Sequence, residues 1–131
     1  MNAAPVPLKI GTVVSAALPT RDPQGREMEG LHPAVVLAVI SARLDLAWIA
    51  PITSDRGYAW IAAHPSLYQR LPAGTGGLPH DSVLLLDQIQ AIDITRLRRA
   101  FGVLPTPLLN AARNSLAQTL GLTITSKTKK G

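Results

Sequence analysis

The 131-residue chain contains no cysteine, only five large aromatic residues and no long hydrophobic run. Without cysteine it forms neither disulfides nor thiolate metal sites, which is typical of proteins in the reducing cytoplasm. Its three histidines are far apart and lack ligand-like spacing, so we expect no metal ion and no cofactor. No apolar run reaches the roughly 18 residues of a membrane span, and the N-terminus lacks the segments of a secretory signal. These absences predict a cytoplasmic protein that does not contact the membrane.

Acidic residues are absent from the C-terminal part of the chain. Residues 96–131 contain seven Lys/Arg and no Asp/Glu, a net charge of +7, whereas residues 1–95 contain six Lys/Arg and eight Asp/Glu, a net of −2. Such asymmetry indicates an anionic partner, and nucleic acid is the first candidate. The segment with Arg96, Arg98 and Arg99 is the main candidate because it directly follows a structured region. For the terminal "TSKTKKG" a solvated tail is the simpler interpretation.

Apolar residues make up 47% of the chain, enough for one packed domain. We expect an N-terminal extension over 1–8, a single domain over 9–122 and a basic flexible tail over 123–131. A charged loop over 19–30 separates the first two predicted strands, and its length suggests a functional role. The strand 33–40 is apolar on both faces and predicts burial on both sides. Strands are expected over 8–18, 33–40, 44–54 (ending at Pro51 or shortly after it), near 66–71, and over 82–93.

A helix is expected after these strands. Thr106 and Pro107 are typical of an N-cap followed by proline at the first helical position, and Gly121 is a typical stop. The apolar stripe consists of Leu108, Leu109, Ala112, Leu116 and Leu120. The predicted fold class is therefore mainly β with helices (α+β), a small barrel-like or twisted antiparallel sheet with a C-terminal helix packed on it.

Several motifs follow one another in a familiar order. "G-x-V-V" in the first strand precedes "G-x-E-x-x-G-x-H-P-A-V-V-L", then "P-I-T-S", then "G-L-x-x-D-S-V-L-L-L-D-Q-I-x-A-I-D", a basic "R-L" and "G-x-L". This combination resembles the MazF/PemK family of toxin–antitoxin toxins over residues 9–120. The resemblance implies an SH3-like barrel, a homodimer, and a ribosome-independent, metal-independent endoribonuclease that cuts single-stranded mRNA and inhibits growth. It also implies a cognate antitoxin that covers the RNA-binding surface.

The resemblance also implies roles for individual residues. Thr53 in "PITS" matches the threonine that the family places at the scissile phosphate, and Glu27 matches the acidic position of the first loop. The signature residues Asp81, Ser82, Asp87 and Gln88 are interpreted as architectural. His32 departs from the family, which has a catalytic arginine before this proline.

The change at His32 alters the chemistry available for RNA cleavage. Attack of a 2′-hydroxyl on the adjacent phosphorus needs proton transfer and stabilisation of phosphorane charge, and gives a 2′,3′-cyclic phosphate and a 5′-hydroxyl. Arginine supplies a permanent charge and a bidentate fork, whereas histidine exchanges protons near neutral pH. His32 therefore either retains catalysis, with the proton-transfer and charge-stabilising roles distributed differently among the site residues, or marks an inactive enzyme. Without the resemblance it would be interpreted as an ordinary loop residue.

Other residues near these loops are candidates for RNA binding. An arginine of either loop could replace the missing guanidinium, and aromatic side chains grip single strands by stacking on bases. Trp48 alternates with apolar neighbours and is predicted to lie in the core. The predicted RNA-binding residues are Arg21, Arg26, Ser54, Arg56, Tyr58 and Trp60.

Two alternatives remain open from the residues, because one fold can host different functions. One is a same-fold binding protein without ribonuclease activity, either a gyrase poison of the CcdB type or a decayed member that binds RNA or antitoxin. The other is a structural interaction module, which leaves the charged loop over 19–30 unexplained.

Overall fold

The computed structural model describes residues 9–20, 25, 28–41 and 45–122. This part of the chain forms a seven-stranded antiparallel sheet followed by a long helix. The predicted fold class is confirmed. The strands are β1 (Thr12–Leu18), β2 (Gly30–Ser41), β3 (Leu46–Ser54), β4 (Tyr68–Leu71), β5 (Ser82–Leu85), β6 (Gln90–Asp93) and β7 (Leu97–Val103); the helices are α1 (Ala59–Ala63) and α2 (Thr106–Thr119), with 3-10 turns at Thr75–Gly77, Leu86–Gln88 and Ile94–Arg96.

The sheet order is β4-β5-β3-β2-β1-β7, and β6 also pairs with β3. The first half of β3 pairs with β6, and its last three residues pair with β5. Pro51 lies between these two ladders and forms the last pair of the β2–β3 ladder, with Ala34. Because of this position, β3 passes through Pro51 and continues to Ser54, so its predicted end shortly after the proline is confirmed.

Both faces of the central strands are buried, as the apolar run in β2 predicts. Val35 and Leu37 belong to a helix-side cluster that packs against α2, whereas Ala34 and Val36 belong to a sheet cluster on the opposite face. The sheet cluster includes Ala16, Ala47, Ile49, Ile92 and Leu97, with Met28 packed against it. A third group, the α1 cluster, consists of Ile61, Val83 and Leu85, with Met28 and Tyr68 packed against it.

Helix α2 covers the helix-side cluster with four of the five residues of the predicted stripe, whereas Leu120 follows the end of the helix and is 60% exposed. Ala112 is buried, and Leu108, Leu109 and Leu116 pack against the cluster half-buried. The predicted N-cap is shifted by one residue, since Pro105 occupies it and Thr106 makes no capping hydrogen bond with its side chain. The C-terminal stop is confirmed, because Gly121 has φ +75 and the Gly121 and Leu122 N–H groups donate to the carbonyls of Gln118 and Ala117.

Two other local predictions are wrong, and one helix was missed. The strand predicted over 82–93 is two strands, separated by the 3-10 turn at Leu86–Gln88. Trp48 is 42% exposed, because it lies on the helix-side face of β3 at a point that α2 does not cover fully. Helix α1 was not expected, although the short strand near 66–71 is confirmed as β4.

Candidate functional site

His32 is the third residue of β2, so it does not end a loop as the sequence suggested. Its backbone pairs with Ala16 of β1, which in turn pairs with Leu97 of β7. Strand alternation places its side chain on the face of Ala34, in line with the sheet cluster, and the residue is half-buried. The strand starts earlier than predicted because Gly30 and Leu31 pair with β1 before β3 joins the ladder at Ala34.

Thr53 lies near the end of β3, half-buried, and pairs with Val83 of β5. The β2–β3 ladder ends at the pair Ala34 and Pro51. β2 and β3 are not paired beyond this point, but alternation along each strand directs the side chains of His32 and Thr53 to the same face of the sheet. Two residues 21 positions apart in sequence are thus brought to one surface by the hairpin register.

Met28 is the described residue of the first loop that lies against this surface. Its side chain packs on both the sheet cluster and the α1 cluster, and therefore connects these two groups of buried residues. Its backbone N–H donates to Oε1 of Gln88 at 3.2 Å. This bond gives the signature glutamine an architectural role. The predicted site residues Glu27, Arg21 and Arg26 lie outside the described residues.

The segment after Thr53 forms a tight turn that projects polar groups to solvent. The Asp55 carboxylate accepts a hydrogen bond from the Gly57 N–H at 2.9 Å, an Asx turn, and Gly57 has φ +75, which favours glycine. Asp55 also lies 3.7 Å from Nε of Arg70, as measured from its Oδ2. The turn leaves Ser54 and Arg56 exposed, as RNA contact would require.

An aromatic cluster follows this turn. The Tyr58 and Trp60 rings stack with centroids 5.6 Å apart and planes 13° apart, and Trp60 meets Tyr68 edge-on at 4.8 Å. His64 lies against the other side of Tyr68, with ring centroids 6.2 Å apart. Tyr58 and Trp60 remain 43% and 39% exposed, respectively. The two residues that were predicted to stack on bases therefore present ring surface to solvent.

A cavity of about 450 Å³ opens beside these rings, and we call it the Trp60 cavity. The Tyr68 hydroxyl donates to Oδ2 of Asp87 at 2.6 Å. This hydrogen bond, together with desolvation and the charge of Asp87, raises the pKa of Tyr68 to about 12. The cavity is lined by Trp60, His64, Tyr68, Leu85, Asp87 and Gln88.

Asp81 and Ser82, the other signature residues, form hydrogen bonds that fix the backbone at the start of β5. An Asp81 carboxylate oxygen accepts from the Ala73 N–H at 2.8 Å, and its backbone carbonyl accepts from the Asp55 N–H at 3.0 Å. The Ser82 hydroxyl donates to the His80 carbonyl at 2.8 Å. These bonds support the architectural interpretation of the signature.

The basic segment is divided between a structural and an exposed part. Nη1 of Arg96 donates to the Ala17 carbonyl at 3.3 Å, which ties the start of β7 to β1. The Arg99 guanidinium carbon lies 5.7 Å from the Phe101 ring centroid, and both Arg98 and Arg99 are exposed. Leu97 and His32 both pair with Ala16, so the segment begins at the level of His32 but two strands away, across β1.

A second exposed surface lies at the other end of β3, and we call it the Trp48 groove. Two adjoining cavities of about 660 and 220 Å³ share Trp48, Leu116 and Leu120. Leu120 and Leu122 are each 60% exposed there. The groove is mostly apolar.

Two cavity residues, His64 and Tyr68, were not singled out from the sequence. The available signal was their spacing from Trp60, which puts an aromatic ring at every fourth position over 60–68. That spacing was ambiguous because the segment contains both a short helix and a strand.

Comparison with known proteins identifies the family. The model of PemK-like, MazF-like toxins of type II toxin–antitoxin systems matches residues 9–120. The chain belongs to the PemK/MazF toxin family. The family assignment made from the motifs is therefore confirmed, over the same residues. A comparison with curated protein sequences finds no match.

Solved structures of the family share the fold. The chain is similar to MazF from Deinococcus radiodurans, with 27% identity, a TM-score of 0.61, and coverage of 86% of this chain and 96% of that one. It is also similar to the Mycobacterium tuberculosis toxin MazF-mt6, with 20% identity, a TM-score of 0.62, and coverage of 86% of this chain and 99% of that one. A mycobacterial endoribonuclease in complex with its cognate antitoxin has 16% identity and a TM-score of 0.62, and the match covers 88% of this chain and 97% of that one. Within the described residues, no helix is both long and apolar enough to cross a membrane.

Proposed function

We propose that this toxin is a metal-independent endoribonuclease that cuts single-stranded RNA at selected sequences and so inhibits translation and growth. The observation that carries the proposal is the strand register that puts His32 and Thr53 on one face. Arg56 and the rings of Tyr58 and Trp60 follow Thr53 closely in the chain and are exposed. These residues combine groups for proton transfer, phosphate contact and base stacking, which cleavage of a flexible strand requires.

The proposed reaction is an internal transfer at phosphorus. The 2′-oxygen attacks the adjacent phosphorus and loses its proton, and the 5′-oxygen leaves and gains one. The products are a 2′,3′-cyclic phosphate and a 5′-hydroxyl. His32 is the proton-transfer group and Thr53 donates a hydrogen bond to a phosphate oxygen, with Glu27 as the acidic partner from the first loop. Arg21, Arg26, Ser54 and Arg56 contribute phosphate contacts, and one of the arginines replaces the guanidinium that the family has at position 32.

The deciding experiment is incubation of the purified protein with a long RNA in excess EDTA. We expect discrete cuts whose 5′ fragments end in a cyclic phosphate and whose 3′ fragments begin with a 5′-hydroxyl. Thr53→Val is the matched variant, since it keeps the side-chain shape but removes the hydroxyl. An intact RNA in the presence of correctly folded protein would refute the proposal. Trapping of cleaved DNA when gyrase is added would then assign the chain to the gyrase-poison alternative.

The proposed assembly is a homodimer joined through the Trp48 groove. A continuous apolar surface that includes Trp48, Leu116 and Leu120 is larger than scattered exposed residues, and a second copy of the chain can cover it across a two-fold axis. Sedimentation equilibrium at micromolar concentration tests this: we expect twice the mass of the chain, and a monomer would refute it.

The proposed protein partner is a cognate antitoxin. The mycobacterial relative in complex with its antitoxin supports this, and we place both proteins in the cytoplasm. The proposed domain organisation is one toxin domain over 9–122 between an N-terminal extension over 1–8 and a basic tail over 123–131. Co-expression with the product of an adjacent small open reading frame tests the partnership. We expect a stable complex that abolishes RNA cleavage, and unchanged cleavage would contradict it.

A further inference from the structure

We propose that the Trp60 cavity binds one unstacked base of the RNA and prefers guanine. This inference rests on the proposed RNA substrate. It assigns a specificity role to His64, Tyr68 and Asp87, none of which is part of the proposed chemistry.

The position of the cavity suits a base next to the cleaved bond. Leu85, which lines the cavity, lies two residues along β5 from Val83, the partner of Thr53, and on the same face. Two strand residues span about 7 Å, a distance on the scale of one nucleotide. Tyr68 pairs with Leu85 and extends that face toward the cavity. A phosphate at Thr53 therefore leaves a neighbouring base within reach of the Trp60 ring.

The walls of the cavity are suited to a planar aromatic ligand. Trp60, His64 and Tyr68 provide rings, Leu85 provides an apolar surface, and the volume of about 450 Å³ is in the usual range for a small-ligand site. Stacking of bases on aromatic side chains is the common way in which proteins hold single strands. The mutual packing of Tyr58, Trp60 and Tyr68 holds the rings in place before a base arrives.

The acidic group of the cavity favours one base. Asp87 presents a carboxylate, which accepts hydrogen bonds and cannot donate them, whereas His64 and Gln88 are the other polar side chains of the lining. Within the described residues, the Tyr68 hydroxyl donates to its Oδ2. Guanine offers two adjacent donors, N1–H and the 2-amino group, which match the two oxygens of a carboxylate. The Watson–Crick edges of adenine, cytosine and uracil each offer one donor position. The negative charge also repels phosphate, so the cavity selects a base rather than the backbone.

Asp87→Asn removes the charge and one acceptor with almost no change in shape, and Asp93→Asn is the matched control. Asp93 is also exposed and hydrogen-bonded, but its partner is Thr95, outside the cavity. The probes are four 2′-O-methyl pentanucleotides, UUXUU, which lack the attacking hydroxyl, plus a fifth with inosine at X. Binding is followed by fluorescence anisotropy, and the fold of each variant by circular dichroism.

We expect the guanine probe to bind the wild-type protein about tenfold more tightly than the other three, and inosine to lose most of this advantage because it lacks the 2-amino group. Asp87→Asn should bind all four alike, whereas Asp93→Asn should keep the preference. Equal binding of all probes by the wild type, or a preference that survives in Asp87→Asn, overturns the inference. The inosine comparison needs no variant and decides the matter if Asp87→Asn does not fold.

Failure of the proposed function is distinguishable from failure of this inference. A guanine preference in a protein that does not cut RNA would refute the endoribonuclease and support the cavity. Cleavage of RNA by a protein without any guanine preference would refute the cavity and support the endoribonuclease.

Discussion

Trp48 and Trp60 are exposed to a similar degree, 42% and 39%, but their surroundings differ in chemistry. Trp60 stands among Tyr58, Tyr68 and His64, beside the Asp87 carboxylate. Trp48 lies among mainly aliphatic side chains, including Leu116 and Leu120, although Asp87 also borders this groove and Arg113 lines its smaller part. The degree of exposure therefore does not distinguish the two surfaces, and the neighbouring side chains do.

The difference separates two kinds of recognition. Aromatic rings with a few fixed polar groups suit a planar, polar ligand such as a base. A mainly apolar surface around one large ring, with charged residues among its lining, suits a protein partner, because interfaces combine an apolar core with aromatic anchors and a polar rim. We therefore assign RNA to the Trp60 side of the molecule and a second copy of the chain to the Trp48 side.

The largest expected effect is on the Trp60 side, at His32. His32→Ala should lower the cleavage rate by about 10²–10⁴-fold, the usual contribution of a positioned acid or base, while leaving the fold intact. The measurement is single-turnover cleavage of a short RNA, followed from pH 6 to pH 8. His32→Arg introduces the arginine that the motif resemblance leads us to expect at this position, and it should be active with a nearly flat pH profile, because arginine stays charged.

Equal rates for the wild type and His32→Ala would contradict this assignment. His32 would then be an ordinary strand residue, and Thr53 with one of the loop arginines would carry the chemistry.

The second effect concerns Tyr68 and Asp87. The folded-state pKa of Tyr68, about 12, lies above the ordinary value of 10.0, mainly because the hydroxyl donates to Asp87. Its stabilising contribution is therefore present below pH 10 and is lost as the pH rises towards 12. Ultraviolet titration of tyrosinate should show a late component that disappears in Tyr68→Phe and moves to lower pH in Asp87→Asn. A late component unchanged by Asp87→Asn would mean that this hydrogen bond does not form in solution.

The strand positions around the site follow from local sequence, but the contacts between them do not. The apolar runs of β1, β2 and β3 predict strands, and the stripe with Ala112 predicts α2. That His32 and Thr53 share a face depends on the β2–β3 register, which the chain between them does not determine. The motif resemblance identified both residues but did not indicate that they share a face of the sheet.

The errors have non-local causes. The break between β5 and β6 is stabilised by the Leu86 N–H, which donates to the Leu67 carbonyl, and by Gln88, which accepts from Met28. Neither glycine nor proline marks it, and Asp87 alone did not outweigh the apolar run, so an unbroken strand was the natural prediction. Trp48 does alternate with buried neighbours, but whether α2 covers its face is a tertiary property.

The third effect tests the Trp48 side. Trp48→Ala should weaken the dimer by about 2 kcal/mol or more, roughly 30-fold in the dissociation constant, as expected for an aromatic anchor in an apolar interface. Trp60→Ala is the matched control and should leave the dimer unchanged. Sedimentation equilibrium of both variants provides the measurement. If Trp60→Ala dissociates the dimer and Trp48→Ala does not, the assignment of the two surfaces is reversed.

The smallest expected effect concerns the exposed basic segment. Arg98 follows Leu97, whose strand row includes Ala16 and His32, so its charge lies at the His32 end of β1. Lys9 is also exposed but precedes β1 at the opposite end.

If Arg98 contacts one phosphate of a single strand, Arg98→Gln should reduce the slope of log affinity against log salt by about 0.7, because one fewer phosphate is neutralised. Lys9→Gln should leave that slope unchanged. The measurement is anisotropy with a 2′-O-methyl RNA from 50 to 300 mM salt. Equal slopes in Arg98→Gln and the wild type would mean that this arginine only keeps the edge strand β7 soluble, and RNA contact would then be confined to the loops and the Trp60 cavity.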